Sequence, residues 1–181
     1  MTIMVDSREH DGKNEHVLKY FRENGINYIN KENFGNIALT VGDYMESTNK
    51  RISVDRKNSI SECYSNIVQQ HVRFRDECIR AQQCGIKLII LVEDESITDL
   101  RGVEHWKNPR YIQWCKIRSM QSVCKAMKIK QPKQPPLSSI QLMDRMKVMS
   151  DRYGIDWQFT PKAECGKRIV EILGGQDGRK D

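Results

Sequence analysis

Apolar positions along this chain keep two rhythms, one of period two and one near 3.6. Residues 2–5 form a short apolar run that ends on Asp6, as a strand does when its end meets solvent. Across residues 14–24, Val17, Leu18 and Phe21 recur at helical spacing, and Asn24-Gly25 supplies the stop. Residues 26–29 alternate like a strand. Residues 37–41 are an apolar, β-branched run leading to Gly42-Asp43, and Ile52 and Val54 alternate with polar neighbours up to Asp55. These two stretches predict neighbouring strands of one hairpin or meander, with Asp43 and Asp55 side by side.

Ser59 is a candidate N-cap, with Glu62 three residues on as its capping-box partner. The helix it opens is expected to run to Cys84-Gly85, carrying Ile60, Cys63, Ile67, Phe74, Cys78 and Ala81 on one face. Residues 87–92 (KLIILV) are apolar without interruption, as in a central strand buried on both faces. Further on, Ser138 or Ser139 opens a helix with Leu142, Met146 and Met149, closed by Tyr153-Gly154. Residues 155–160 form a strand, and Pro161 opens a last helix that ends at Leu173-Gly174. Helices alternating with strands around a hairpin predict an α/β protein with a central mixed sheet between layers of helices. The expected organisation is one domain over residues 1–175 and a disordered tail over 176–181, without internal repeats.

Composition changes this picture only in part. The 181 residues carry a formal charge of +6, which suits a polyanionic partner. The basic residues cluster at Arg73, Arg75 and Arg80, at Lys107 and Arg110, and over residues 116–133. Each is read either as a solvated helix face or as a phosphate contact. The six cysteines, Cys124 among them, form no C-x-x-C and stand at no zinc-finger spacing from the four histidines. Free thiols in a reducing, intracellular setting are expected, cytoplasmic if the source is bacterial or phage. The chain start becomes charged at once, unlike a signal peptide, and no apolar run approaches membrane-spanning length. Residues 106–127 interleave aromatic and basic side chains. Trp106, Tyr111 and Trp114 suit stacking on unpaired bases or packing into a core or an interface. Residues 131–136 (QPKQPP) read as an exposed, extended loop.

The candidate chemistry lies in Gly42-Asp43-Tyr44 and Val54-Asp55-Arg56-Lys57. On a strand, Asp55 and Lys57 point the same way. Two converging carboxylates, Asp43 and Asp55, suit a hard cation such as Mg²⁺ or Mn²⁺, and Lys57 beside them suits orienting a water or steadying charge on a phosphate. The bland reading is a surface turn with a solvated charge cluster.

The order of motifs adds to this. Val5-Asp6-Ser7-Arg8-Glu9, then Gly42-Asp43-Tyr44, then Val54-Asp55-Arg56-Lys57 with Glu62 soon after, then Arg73-Phe74-Arg75 and a buried strand, resembles the nuclease domain of XPF-type structure-specific endonucleases. That family is the ERCC4-domain branch of the restriction-endonuclease-like PD-(D/E)XK superfamily. The resemblance is strong over residues 3–93. It implies a metal-dependent DNA endonuclease that cuts flaps, forks or junctions in DNA repair or recombination. It implies Asp43 and Asp55 as metal ligands, Lys57 as the residue that positions or deprotonates the attacking water, and the carbonyl of Arg56 as a further ligand. Asp6, Glu9 and Glu62 complete or tune the site. Arg8, Arg73, Arg75, Lys107 and Arg110 are the candidate DNA contacts, Arg73 the one nearest the site. Dimerisation through the nuclease domain, with itself or with a partner subunit, is implied as well. The family has glutamate where Asp55 stands, its downstream aspartate corresponds to Glu62 with one extra residue between, and it often has glutamine at Glu77. No tandem helix-hairpin-helix pattern is found. The rivals are a non-catalytic subunit that binds DNA and positions an active partner, a restriction-type enzyme acting on intact duplex, and a nucleic-acid-binding module without metal.

Overall fold

The computed structural model of the chain describes residues 1–8, 12–120 and 134–174. Glu9, Cys124, the start of the proline-rich stretch and the tail at 176–181 lie outside the described residues.

Strand β1 (Thr2–Val5) leads through helix α1 (Glu15–Glu23) to the short β2 (Asn27–Ile29). A hairpin follows, β3 (Tyr44–Glu46) and β4 (Ile52–Lys57), then helices α2 (Ile60–Val68) and α3 (His71–Gln83) and strand β5 (Lys87–Glu93). After a 3₁₀ turn at Arg101–His105 come α4 (Pro109–Ser119), α5 (Ser139–Tyr153), β6 (Asp156–Thr160) and α6 (Cys165–Leu173). The strands make one six-stranded sheet in the order β2-β1-β3-β4-β5-β6. Both β1–β3 and β3–β4 are antiparallel, and the other neighbours are parallel. The sheet is mixed and the class α/β, as expected.

Period two divides the sheet's side chains between two cores. On one face Leu88, Ile90 and Val92 pack under α2, α3 and α5, with Phe74, Met146 and Trp157. On the other, Val54, Ile89 and Leu91 meet α1 and α6 through Phe21, Ile169 and Ile172. The two helices of this second layer come very close. A Cβ on Gly166 would sit 2.6 Å from Cβ of Tyr20, so this crossing excludes any larger residue. The caps agree with the reading of α5: Ser138 and Gln141 form a complete capping box, and Gly154 closes the helix at φ +66°.

One expected helix is two. The segment from Ile60 to Gln83 breaks at Gln69-Gln70, where both backbone N–H groups turn back to the carbonyl of Ser65. Ile67 and Phe74 are seven residues apart, which preserves the apolar rhythm across the break and hides it from periodicity. The run at 37–41 forms no strand. The carbonyl of Ile37 accepts from the N–H and hydroxyl of Ser7, and Leu39 N–H donates to Asp6, so side-chain bonds replace a ladder. Asp43 immediately precedes β3.

Candidate active site

The hairpin β3–β4 builds the site. Gly42 turns the chain at φ +69°, and a Cβ there would lie 2.4 Å from Oγ of Ser53 and 2.9 Å from the carbonyl of Val54, so only glycine fits. Asp43 follows, its N–H bound to the Val54 carbonyl at 2.8 Å, and one carboxylate oxygen accepts from the backbone N–H of Arg56 at 2.8 Å. Asp43 is thus pinned beside the end of β4, next to Asp55.

On β4, Asp55 and Lys57 face the same way, into a cavity of about 350 Å³ at the edge of the α2–α3 layer. Lys57 Nζ lies 2.7 Å from both carboxylate oxygens of Asp55 and 5.7 Å from the ring centroid of Phe74. It hydrogen-bonds Oδ1 only. Oδ2 is buried and has the same ammonium as its ion-pair partner, at 2.7 Å. Burial opposes the charge on Lys57, but Asp55 and then Asp43 outweigh it and raise its pKa well above the usual lysine value.

Glu77, on α3, enters the same cavity and accepts the N–H of Gly42 at 3.0 Å. Burial, followed by the negative charge of Asp55, raises its pKa above the ordinary glutamate value. Asp43, Asp55 and Glu77 offer carboxylate oxygens to one cavity, and Glu77 is held above its ordinary pKa there, so the donor set fits the implied Mg²⁺ or Mn²⁺. No trio of cavity carboxylates among the described residues is drawn as close as 4.8 Å, the spacing of His16, Glu93 and Cys165 elsewhere.

The structure sorts the other expected residues. Asp6 borders the cavity, but Arg8 N and Nε (2.7 and 2.8 Å), Arg8 Nη2 (2.6 Å) and Leu39 N (2.7 Å) occupy both its oxygens. Burial works against that charge, and Arg8 with the two backbone donors overcomes it and lowers the pKa of Asp6. Asp6 clamps the 37–43 segment, with Arg8 on the cavity rim as its ion-pair partner. Glu62 also lines the cavity. Ser59 caps α2 as read, but the Glu62 carboxylate accepts from the N–H and side-chain amide of Asn58 at 2.9 and 2.8 Å instead of completing the box. Arg73 and Arg80 line the cavity with Glu77, one polar stripe on α3. Arg75 lies outside the cavity lining and pairs with exposed Asp76 at 2.9 Å. Arg110 sits on α4 beside α2, and Lys107 is exposed just before that helix.

Two thiols lie behind the site. Burial raises Cys63 far above the thiol range, and Cys78 is pushed up to about 12 by burial together with Glu77 and Asp55. Neither is a nucleophile at neutral pH.

No family model matches the chain, and no curated protein sequence matches it. The comparison with solved structures does. XPF from Aeropyrum pernix superposes with a TM-score of 0.59 at 17% identity, over 99% of this chain and 66% of that one. XPF from Aeropyrum pernix in complex with DNA gives 0.57 at 19% identity, over 99% and 68%. The fold is XPF-like. The chain spans about two thirds of each of those chains.

Within this XPF-like fold, the residue between the two candidate catalytic ones turns the other way. Arg56 points to the α1–α6 side, where its Nη1 meets Glu93 Oε1 at 3.0 Å and Asn58 at 2.7 Å. The same Glu93 oxygen meets His16 Nε2 at 2.6 Å, with Cys165 adjacent. That oxygen is shared by two donors already, so this group reads as an internal brace. Its members are far apart in sequence and carry no motif. No helix among the described residues is long and apolar enough to cross a membrane.

Proposed function

We propose that this protein is a metal-dependent endonuclease that hydrolyses phosphodiester bonds at branched DNA, in repair or recombination. The observation that carries the reading is the convergence of Asp43, Asp55, Lys57 and Glu77 on one open polar cavity of an XPF-like fold.

Asp43 and Asp55 would hold Mg²⁺ or Mn²⁺, with the carbonyl of Arg56 alongside. When bound, the ion neutralises phosphate charge and makes a coordinated water more acidic. The remaining work belongs to side chains. Lys57 beside Asp55 would position or deprotonate the attacking water, or donate a hydrogen bond to a phosphate oxygen, and the water's proton ends on the leaving oxygen. Hydrolysis adds the water oxygen to phosphorus and breaks one ester P–O bond. Arg8, Arg73 and Arg80 at the rim are placed to meet neighbouring phosphates. Glu62 and Asp6 hold the cavity walls. The solved XPF–DNA complex supports DNA as the polymer, and the sequence resemblance supports branch preference and pairing through this domain, with a second copy or a partner subunit.

The test is cleavage of labelled flap, fork, junction and plain duplex DNA in Mg²⁺, Mn²⁺ or EDTA, beside Lys57→Ala. Cutting near branches that needs the metal and disappears in the variant is the expected result. Cutting in EDTA, or equal cutting by the variant, overturns the assignment. Binding without cutting in either metal moves the protein to the non-catalytic class.

A further inference from the structure

Helix α4 stands apart from the other helices. It has eleven residues and buries none of them. An isolated helix of that length is marginal in water, and those of folded proteins are held by an apolar face against a core. Here the hold is at the start: Asn108 caps the helix through the N–H of Arg110 at 3.0 Å and donates to the Leu137 carbonyl at 2.7 Å. Along the rest, Tyr111, Trp114 and Ile117 are half-buried and Ile112 is 39% exposed, so the helix offers an aromatic stripe at the surface to an occupant.

The chemistry of the face says which. Residues 106–120 carry Lys107, Arg110, Lys116 and Arg118 and not one acid. Tyr111 and Trp114 stack on each other, with centroids 6.1 Å apart and planes 28° apart. The guanidinium of Arg118 sits 5.0 Å over the Trp114 ring. These three planar groups stand at i, i+3 and i+7, on one face of the helix. Seven residues of helix rise about 10 Å, close to three nucleotides at about 3.4 Å each. Two α4 helices meeting across a two-fold axis would place like charges together, which disfavours a second copy of this chain as the occupant.

The platform is also continuous with the cavity. Arg110 lies 5.0 Å over the ring of Tyr64, and its Nη2 donates to Oγ of Ser65 at 3.4 Å. Ser65 lines the cavity that holds Asp55 and Lys57. Trp106, by contrast, leans on Tyr64 with centroids at 6.1 Å and belongs to the scaffold.

We propose that the Tyr111–Trp114–Arg118 face of α4 binds an unpaired DNA strand, stacking its bases while Lys107 and Arg110 follow its phosphates. Bases inside a duplex are closed to such stacking, so the face selects single-stranded arms. This deepens the endonuclease reading and rests on it for the connection to a branch.

The test measures binding of the full chain in EDTA, by fluorescence anisotropy, to a labelled 12-nucleotide single strand, a fork with unpaired arms and a blunt duplex. Tyr111→Ala/Trp114→Ala should weaken single-strand and fork binding by about tenfold or more, and duplex binding by less than about twofold. Trp114→Phe, which keeps a stacking ring, should restore most of the single-strand affinity when paired with native Tyr111. Equal loss on all three DNAs, or no loss, overturns the proposal, as does a shift in sedimentation of the double variant from a dimer to a monomer with unchanged DNA affinity. Failure of the nuclease reading looks different: no cleavage in any metal, with the single-strand preference intact.

Discussion

Three consecutive residues of β4 supply two buried ion pairs that differ in kind. Arg56 and Glu93, on the α1–α6 side, are 1% and 3% exposed, and Asn58 and His16 complete the hydrogen bonding around them. Lys57 and Asp55, on the α2–α3 side, are 9% and 4% exposed, yet Lys57 has to face both oxygens of Asp55 while Glu77 resists ionising nearby. The first pair is finished by protein alone. The second opens onto a cavity that Asp43 and Glu77 also line. Burial of charge is common to both, so burial alone does not mark a site; further acids converging on an open cavity do.

Breaking the finished pair should have the largest effect. Arg56→Met leaves Glu93 buried without its cation and should lower unfolding free energy by about 3–5 kcal/mol in urea titration. Cleavage per folded molecule should change only a few-fold. If Arg56→Met is neutral to stability, the brace reading fails.

The unfinished pair should show the reverse. Asp55→Asn should reduce cleavage by on the order of 10²–10³-fold, the scale of removing one electrostatic element from an active site. Far-UV circular dichroism should be unchanged. Gly42→Ala should sit between the two. The positive φ and the contact with Ser53 and Val54 should together cost about 1–3 kcal/mol, and displacement of Asp43 should slow cleavage as well.

The smallest effects compare two glutamates. Glu46 accepts from Thr48 N (2.7 Å), Thr48 Oγ1 (2.8 Å) and Asn49 N–H. Burial works against its charge, but these donors bring its pKa down from 4.5 to about 2. A depressed carboxylate stabilises the fold above its unfolded pKa, and that stability is lost as pH falls from about 4.5 toward 2. Glu46→Gln should therefore cost on the order of 1 kcal/mol at pH 7 and flatten the acid limb of a stability–pH curve. Glu77 has the opposite sign, since a raised carboxylate makes the fold less stable as pH climbs through its titration. Glu77→Gln should stabilise slightly at neutral pH, by less than about 1 kcal/mol. Two glutamine substitutions of the same sign would erase the distinction.

The parts legible in the sequence are those made by near neighbours. Alternation at Ile52 and Val54, the helical face of Leu142 and Met146, and the Ser138 and Gly154 caps depend on residues within a turn or a strand. Asp43, Asp55 and Lys57 belong to one hairpin, which is why their convergence was readable. Glu77 was visible only as an odd residue after Arg73-Phe74-Arg75-Asp76. The signal that points to it is the polar stripe Arg73, Glu77 and Arg80, opposite Phe74, Cys78 and Ala81 on α3. The break at Gln69-Gln70, the four donors on Asp6 and the Glu93 brace were hidden because tertiary contacts decide them. The aromatic run divides by contact: Trp106 packs against the core, while Tyr111 and Trp114, equally half-buried, stack on each other.

The hairpin also bears on how the chain acquires its shape. Pairing β3 with β4 closes a short loop, whereas pairing β4 with β5 must wait for the α2–α3 crossover, and loop closure grows harder with separation. A hairpin that formed early would bring Asp43 and Asp55 together in a nascent chain with no helix yet over them. Lys57 rides on the same strand, so the repulsion between the two acids is met by a cation that arrives with them. Glu77 would arrive only with α3, once that strand pair is in place.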